Sequence, residues 1–281
     1  MRSFISLIAI AVMLLMPALT SADNPLQQSP QKIASLNLCL DALLIRLVER
    51  SRIDSLTYLS ANPQFSPLAH QISGIYLNRG LAEDLVSRNP DLIVAGDFGA
   101  NDAIALLQQL GFRVERLPLP RTIADITEHI RYFGILVGSR VAAEIMASSI
   151  EQQIALLAMM QKKQSKKVTA FWYSSNGVVV GGDTLENELM QRAGFYNLAL
   201  DKNIHGFAHI DLEELILAQP QALIIESADG AAFSLAQEYI RHPALRNNKI
   251  RIISLPATLS VCSAPVVADV MKELSVRVNE F

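Results

Sequence analysis

The sequence predicts an α/β fold in two three-layer lobes, each on a central, mainly parallel sheet, with one long α-helix between them. Three observations predict it. Apolar runs of strand length alternate with segments of helical period along most of the 281 residues, as in parallel sheets covered by helices. A helix–Pro–strand unit running from Glu83 to Val94 recurs 130 residues later from Glu213 to Ile225, each copy with a Glu seven residues before its Pro. Between the halves, residues 139–164 carry one unbroken helical stripe.

Composition narrows the classes. Apolar residues make up 51% and charged residues 18%, which supports a large buried core and argues against disorder. A formal charge of −3 supplies no basic surface for nucleic acid. Two cysteines are too few for a Cys-rich metal module or a disulfide-dense miniprotein.

Residues 1–22 read as a secretory signal peptide. Arg2 precedes an apolar run from Phe4 to Met16, Pro17 breaks it, and Thr20 and Ala22 fit the −3 and −1 positions of a cleavage site. The alternative, an uncleaved anchor, needs about 20 apolar residues, and this run is shorter. No cysteine follows at which a lipid would attach, and Cys39 is too far downstream. The expected location is therefore the periplasm, with cleavage near Ala22 and a polar lead-in over 23–31.

In the first lobe, residues 32–138, strands are expected at 32–36, 53–59, 91–95 and 113–117, and helices at 39–49, 81–88, 103–110 and 122–137. The helix of 139–164 starts with Ser139 as N-cap after Gly138. Its stripe is Val141, Ile145, Met146, Ile150, Ile154 and Leu157. Such a rod measures roughly 37 Å at 1.5 Å per residue; it either runs across both lobes or lies on the surface of one. In the second lobe, residues 165–281, strands are expected at 167–173, 178–180, 221–226 and 250–255, with helices at 185–192, 212–218, 232–241 and 265–279. The repeated unit either reflects two lobes of related design or is a chance match of a common α/β pattern.

Several segments carry a family resemblance: Ile33 to Asn37, Glu83 to Gly96, Gly181 to Leu185 with Gly194 to Leu198, and Glu213 to Ile225. In this order, beside an export signal, they resemble the periplasmic substrate-binding proteins of ABC importers for vitamin B12, ferric siderophores and haem. The resemblance spans about Lys32 to Leu274. It implies two lobes joined by the long helix, with a siderophore, haem or corrinoid held in the cleft between them. It also implies ABC permease transmembrane subunits as partners, docking to one acidic residue per lobe, which match Glu83 and Glu213. Charge-assisted carboxylate–guanidinium pairs suit reversible docking. The plainer reading is that both acids favour a helix N-terminus. A monomer is expected, with no nucleic-acid partner and no cofactor, although the ligand itself can contain iron or cobalt.

Ligands in α/β lobes lie beyond the carboxyl ends of strands. That rule nominates Asn37, Leu38, Tyr58, Asn78, Arg79, Asp97 and Phe98 in the first lobe, and Trp172, Tyr173, Phe207 and Leu259 in the second. Aromatic faces would grip a macrocycle or chelate, and Arg79 would meet an anion; Trp172, Tyr173 and Phe207 read equally well as core. Vitamin B12 binders line their clefts with several tryptophans; here Trp172 is the only one, and Leu77 and Phe207 stand at two of those positions. Tyr58, His70, His205 and His209 are candidate haem-iron ligands. His205 and His209 would share a face on a helix, although Gly206 between them suggests a loop. Cys39 and Cys262 form either a disulfide, natural in an oxidising compartment, or two separate buried thiols, with thiolate ligation of metal a third reading.

No phosphate loop or GxSxG elbow occurs, the histidines lack zinc spacing, and His129 reads as a structural side chain in a helix. An enzyme is not expected. The runner-up is a two-lobed metal chaperone or metallocluster scaffold.

Overall fold

The structure, a computed structural model, describes residues 29–160, 167–227, 242–243, 245, 250–260, 262 and 266–281. The expected leader (1–22), most of the lead-in (23–28), the end of the interlobe helix (161–164) and the expected helix at 232–241 lie outside the described residues.

The first lobe runs β1 (Ile33–Ser35), α1 (Leu38–Leu47), β2 (Ile53–Thr57), β3 (Tyr76–Asn78), α2 (Ala82–Val86), β4 (Leu92–Gly96), α3 (Asn101–Gln109), β5 (Val114–Leu117) and α4 (Ile123–Leu136). The sheet is wholly parallel, in the order β3-β2-β1-β4-β5. Strand order reverses between β1 and β4, which opens a crevice beyond their carboxyl ends. Asn37 caps α1 there, its side chain accepting the Cys39 and Leu40 N–H groups. Gly96 faces it so closely that a Cβ would stand 2.6 Å from Asn37 Nδ2.

After α5 (Arg140–Met160), the second lobe runs β6 (Val168–Tyr173), β7 (Val178–Val180), α6 (Leu185–Ala193), β8 (Phe195–Asn197), β9 (Phe207–His209), α7 (Leu212–Leu217), β10 (Ala222–Ser227), β11 (Arg251–Pro256), α8 (Ala257–Ser260) and α9 (Val267–Val278). Its order β11-β10-β6-β7-β9 matches β5-β4-β1-β2-β3 of the first lobe; β8 adds alongside the start of β6. One strand departs from that likeness. β7 runs antiparallel to both neighbours, so β9 points the same way as β6.

The repeated sequence unit is a repeated structure. α2 and α7 each follow an edge strand, β3 and β9, and each leads through a proline into β4 or β10, beside the central strand. The residue before each proline, Asn89 (φ 51°) and Gln219 (φ 48°), is left-handed.

α5 holds the lobes together. It packs along α4 and also touches α9. Ala143, Ala147, Ile150 and Ile154 are its buried face. Val141 and Ile145, expected on that face, point to solvent instead. The reason is close packing: a Cβ on Gly134 of α4 would collide with Ala143, so only small side chains fit the early turns. One contiguous apolar core runs from Ile33 and Phe133 through Ala147 and Ile154 to Trp172 and Leu274. Among the described residues no helix is long and apolar enough to cross a membrane.

Candidate ligand-binding cleft

A cavity of about 680 Å³ lies between the lobes. Asp97 and Phe98, beyond β4, and the Pro118–Arg121 segment, beyond β5, form its first-lobe wall. Asp183 to Glu186 and His205 to Phe207 form the other.

The first wall is braced by its own hydrogen bonds. The Leu119 N–H donates to Asp97 Oδ2 at 3.0 Å, while Arg116 donates to the Asp97 carbonyl at 3.2 Å and to Asn101 Oδ1 at 2.8 Å. Gly99 (φ 80°) and Ala100 (φ 50°) turn the chain into α3 and leave Phe98 projecting, 70% exposed. Opposite it, backbone pairing between Gly181-Gly182 and residues 204–206 (2.7–2.8 Å) presents Phe207, 59% exposed. A Cβ at Gly181 would strike the Ile204 carbonyl, so glycine is required for this pairing. Thr184 then caps α6, its hydroxyl accepting the Asn187 N–H at 3.2 Å and donating to the Gly181 carbonyl at 2.7 Å.

Cys39 and Cys262 form a disulfide, with Cα atoms 5.0 Å apart and 223 residues between them in sequence. The bond ties the first turn of α1 to the segment after α8 and borders the cavity.

The cleft carries several ionisable groups. Asp183 Oδ2 lies 2.9 Å from His205 Nδ1. Burial, with the nearby Glu226 charge, raises the Glu186 carboxyl above the usual range. Glu226 is raised by its own burial, partly offset by a hydrogen bond from the Trp172 side chain. Burial lowers His129, which lines the adjoining recess beside Asn37 and Phe98.

Of the residues nominated from sequence, Asp97, Phe98 and Phe207 border the cavity, and Asn37 lines the adjoining recess. Leu38 borders a smaller hollow beside Cys262. Six others have a different setting. Trp172 (1% exposed) and Tyr173 (3%) are core residues, because β6 is covered on both faces. Asn78 is fully buried, donating to the Ser35 carbonyl at 2.8 Å and Ser55 Oγ at 3.2 Å and accepting from the Gly80 N–H. Leu259 packs against the shared core. Tyr58 and Arg79 are exposed at the ends of β2 and β3. Leu77, at one of the positions expected for a tryptophan, packs on the core.

Of the candidate iron ligands, His205 borders the cavity. His209 sits in β9, 3.7 Å from Asp211, so the two histidines serve different carboxylates. Among the described residues no group of three or more His, Cys, Asp or Glu could hold a metal.

Sequence reasoning missed Leu119, Arg121, Asp183 and Glu186. The rule about strand ends, applied after β5 and β7, would have reached them.

Glu83 and Glu213 are both exposed, each at the second position of the helix that follows an edge strand. Their neighbours are engaged: Asp84 accepts the Arg79 N–H at 2.7 Å, and Glu214 pairs with Lys202 at 3.2 Å.

A family model described as periplasmic binding protein matches residues 33–255. A cobalamin-binding protein of Halobacterium salinarum is 22% identical over 213 residues, 74% of this chain and 57% of that protein. The chain thus spans little more than half the length of the curated relatives it matches. Among solved structures, a periplasmic haem-binding protein from Roseiflexus sp. RS-1 superposes with a TM-score of 0.72 at 20% identity, covering 89% of this chain and 98% of that one. The periplasmic vitamin B12-binding protein of Vibrio cholerae gives 0.65 at 17% identity, covering 89% and 97%.

Proposed function

The chain belongs to the periplasmic binding protein family, and from that premise we propose that it captures a metal chelate or corrinoid in the interlobe cleft and delivers it to the permease of an ABC importer. The family and its solved neighbours are binding proteins, not enzymes. The observation that carries the proposal is the opposition of Phe98 and Phe207, one exposed aromatic from each lobe, on a single cavity. A ligand that stacks on both favours a closer approach of the lobes, because differential contact with two states is what shifts their populations. Cobalamin and haem, named for the relatives, are both macrocycles with broad faces for such contact.

Glu83 and Glu213 are the proposed docking points. Related placement on related helices supports a partner that meets both lobes at once. Residues 1–22 are the proposed export signal, placing the mature chain in the periplasm.

A thermal-shift screen with corrinoids, haem and ferric siderophores tests the capture. A ligand at 100 times its Kd should stabilise the fold by about 2.7 kcal/mol. No shift with any of them contradicts the proposal.

A further inference from the structure

We propose that the cleft selects its ligand by charge, taking a chelate or corrinoid of zero or positive net charge and excluding anionic ones such as haem and ferric catecholates. The inference rests on the capture reading above and narrows its substrate class.

The charges bordering the cavity are unbalanced. Asp97, Asp183 and Glu186 supply three carboxylates, and Arg121 is the one Lys or Arg bordering it among the described residues. Neither of the nearby arginines offsets these charges. Arg116 is bound to the Asp97 carbonyl and Asn101, and Arg79 does not border the cavity. His205 is held on the Asp183 carboxylate. Burial and the Glu226 charge oppose the ionisation of Glu186, partly offset by a hydrogen bond from its own backbone. A positive group entering this corner relieves that repulsion, and a negative one adds to it. Partial exclusion of water strengthens the effect, since charges interact more strongly at the lower effective dielectric of a protein cleft than in water.

Phe98 and Phe207 act independently of this. Their faces accept the apolar body of any chelate or macrocycle, and an aromatic face also favours a cation over an anion. Haem brings two propionates and a ferric catecholate a multiple negative charge, with Arg121 the one cavity Lys or Arg among the described residues to meet them. A ferric trihydroxamate with an ammonium tail, or a cobalt corrinoid lacking the nucleotide phosphate, brings the opposite sign.

The test is a titration of the mature protein with ferrioxamine B and cobinamide (cationic), cyanocobalamin (neutral), and haemin and ferric enterobactin (anionic), at low and high salt. At least one cationic or neutral ligand should bind at least tenfold tighter than both anions, and a cation's advantage should shrink as salt rises. Glu186→Gln should weaken the cationic ligand about tenfold, leave cyanocobalamin unchanged, and improve any residual anion binding. Asp183→Asn should act in the same direction, which guards against a folding defect in either variant. Phe207→Ala should weaken every ligand that binds, a cationic one at least as much as the others. Haemin or ferric enterobactin binding as tightly as the best cationic or neutral ligand overturns charge selection while leaving capture standing. Failure of every ligand to bind overturns both.

Discussion

Asp41 sits wholly inside the first lobe, one turn into α1. Its Oδ2 accepts from the Thr57 N–H and from the Thr57 and Ser60 hydroxyls, while Oδ1 has no partner. Burial outweighs these bonds and pushes the carboxyl up to about 7. Because the folded value exceeds the unfolded one, the native state binds the extra proton between roughly pH 4 and 7. Asp41's contribution therefore falls as pH rises through that window and is flat above it. The span corresponds to about 4 kcal/mol at 1.36 kcal/mol per unit. Denaturant unfolding from pH 4 to 8 should show Asp41→Asn gaining stability on wild type as pH rises, a difference that isolates this carboxyl from the exposed ones. Parallel curves would contradict it. Residues of this kind were hidden from the sequence. Nothing in the sequence marks Asp41 as buried, Asn78 reads as a strand-end ligand contact, and Trp172 and Tyr173 read equally well as ligand contacts or core. A strand covered on both faces offers no alternation from which to tell inward from outward, so their burial became visible only with the sheet. Asp97 and Phe98 were legible because they follow the carboxyl end of β4, a position that sequence can locate, whereas Phe207 opens β9 and reaches the cavity from that strand's amino end.

Contact between α4 and α5 depends on Gly134 lying over Ala143. Gly134→Val should destabilise the fold by about 1–3 kcal/mol through overpacking, measured by urea unfolding; an unchanged midpoint would mean the helices can separate at no cost. The helix itself was legible from its unbroken period, but not its buried face. Val141 and Ile145 are the larger apolar residues, yet alanines turn inward because the spacing of two close helices excludes bulk. β3, β8 and β9 escaped notice for a simpler reason: unlike the three valines of β7, their three residues each mix polar and apolar side chains, and their pairing is imposed by neighbours. The paired α2 and α7 units were fully legible, down to the shared prolines. Glu83→Ala with Glu213→Ala should leave ligand Kd unchanged and remove stimulation of the reconstituted transporter's ATPase, by tenfold or more. Lost ligand affinity with intact stimulation would reverse the assignment.

Across the molecule, α5, the shared core and the Cys39–Cys262 bond all join the lobes. Such a frame permits a small closure and resists wide opening. Cys39→Ser with Cys262→Ser should cost about 2–4 kcal/mol of stability by freeing a long loop in the unfolded chain, and should enlarge the ligand-free radius of gyration in small-angle X-ray scattering. An unchanged radius would show that α5 and the core alone hold the lobes. Contact of one ligand with both lobes is measured by calorimetric titration of the best ligand against Phe98→Ala, Phe207→Ala and the double variant. Each single change should weaken binding about tenfold, as expected for loss of an aromatic contact of 1–2 kcal/mol, with all three proteins melting as wild type does. Full affinity in the double variant would place the ligand elsewhere and end the account.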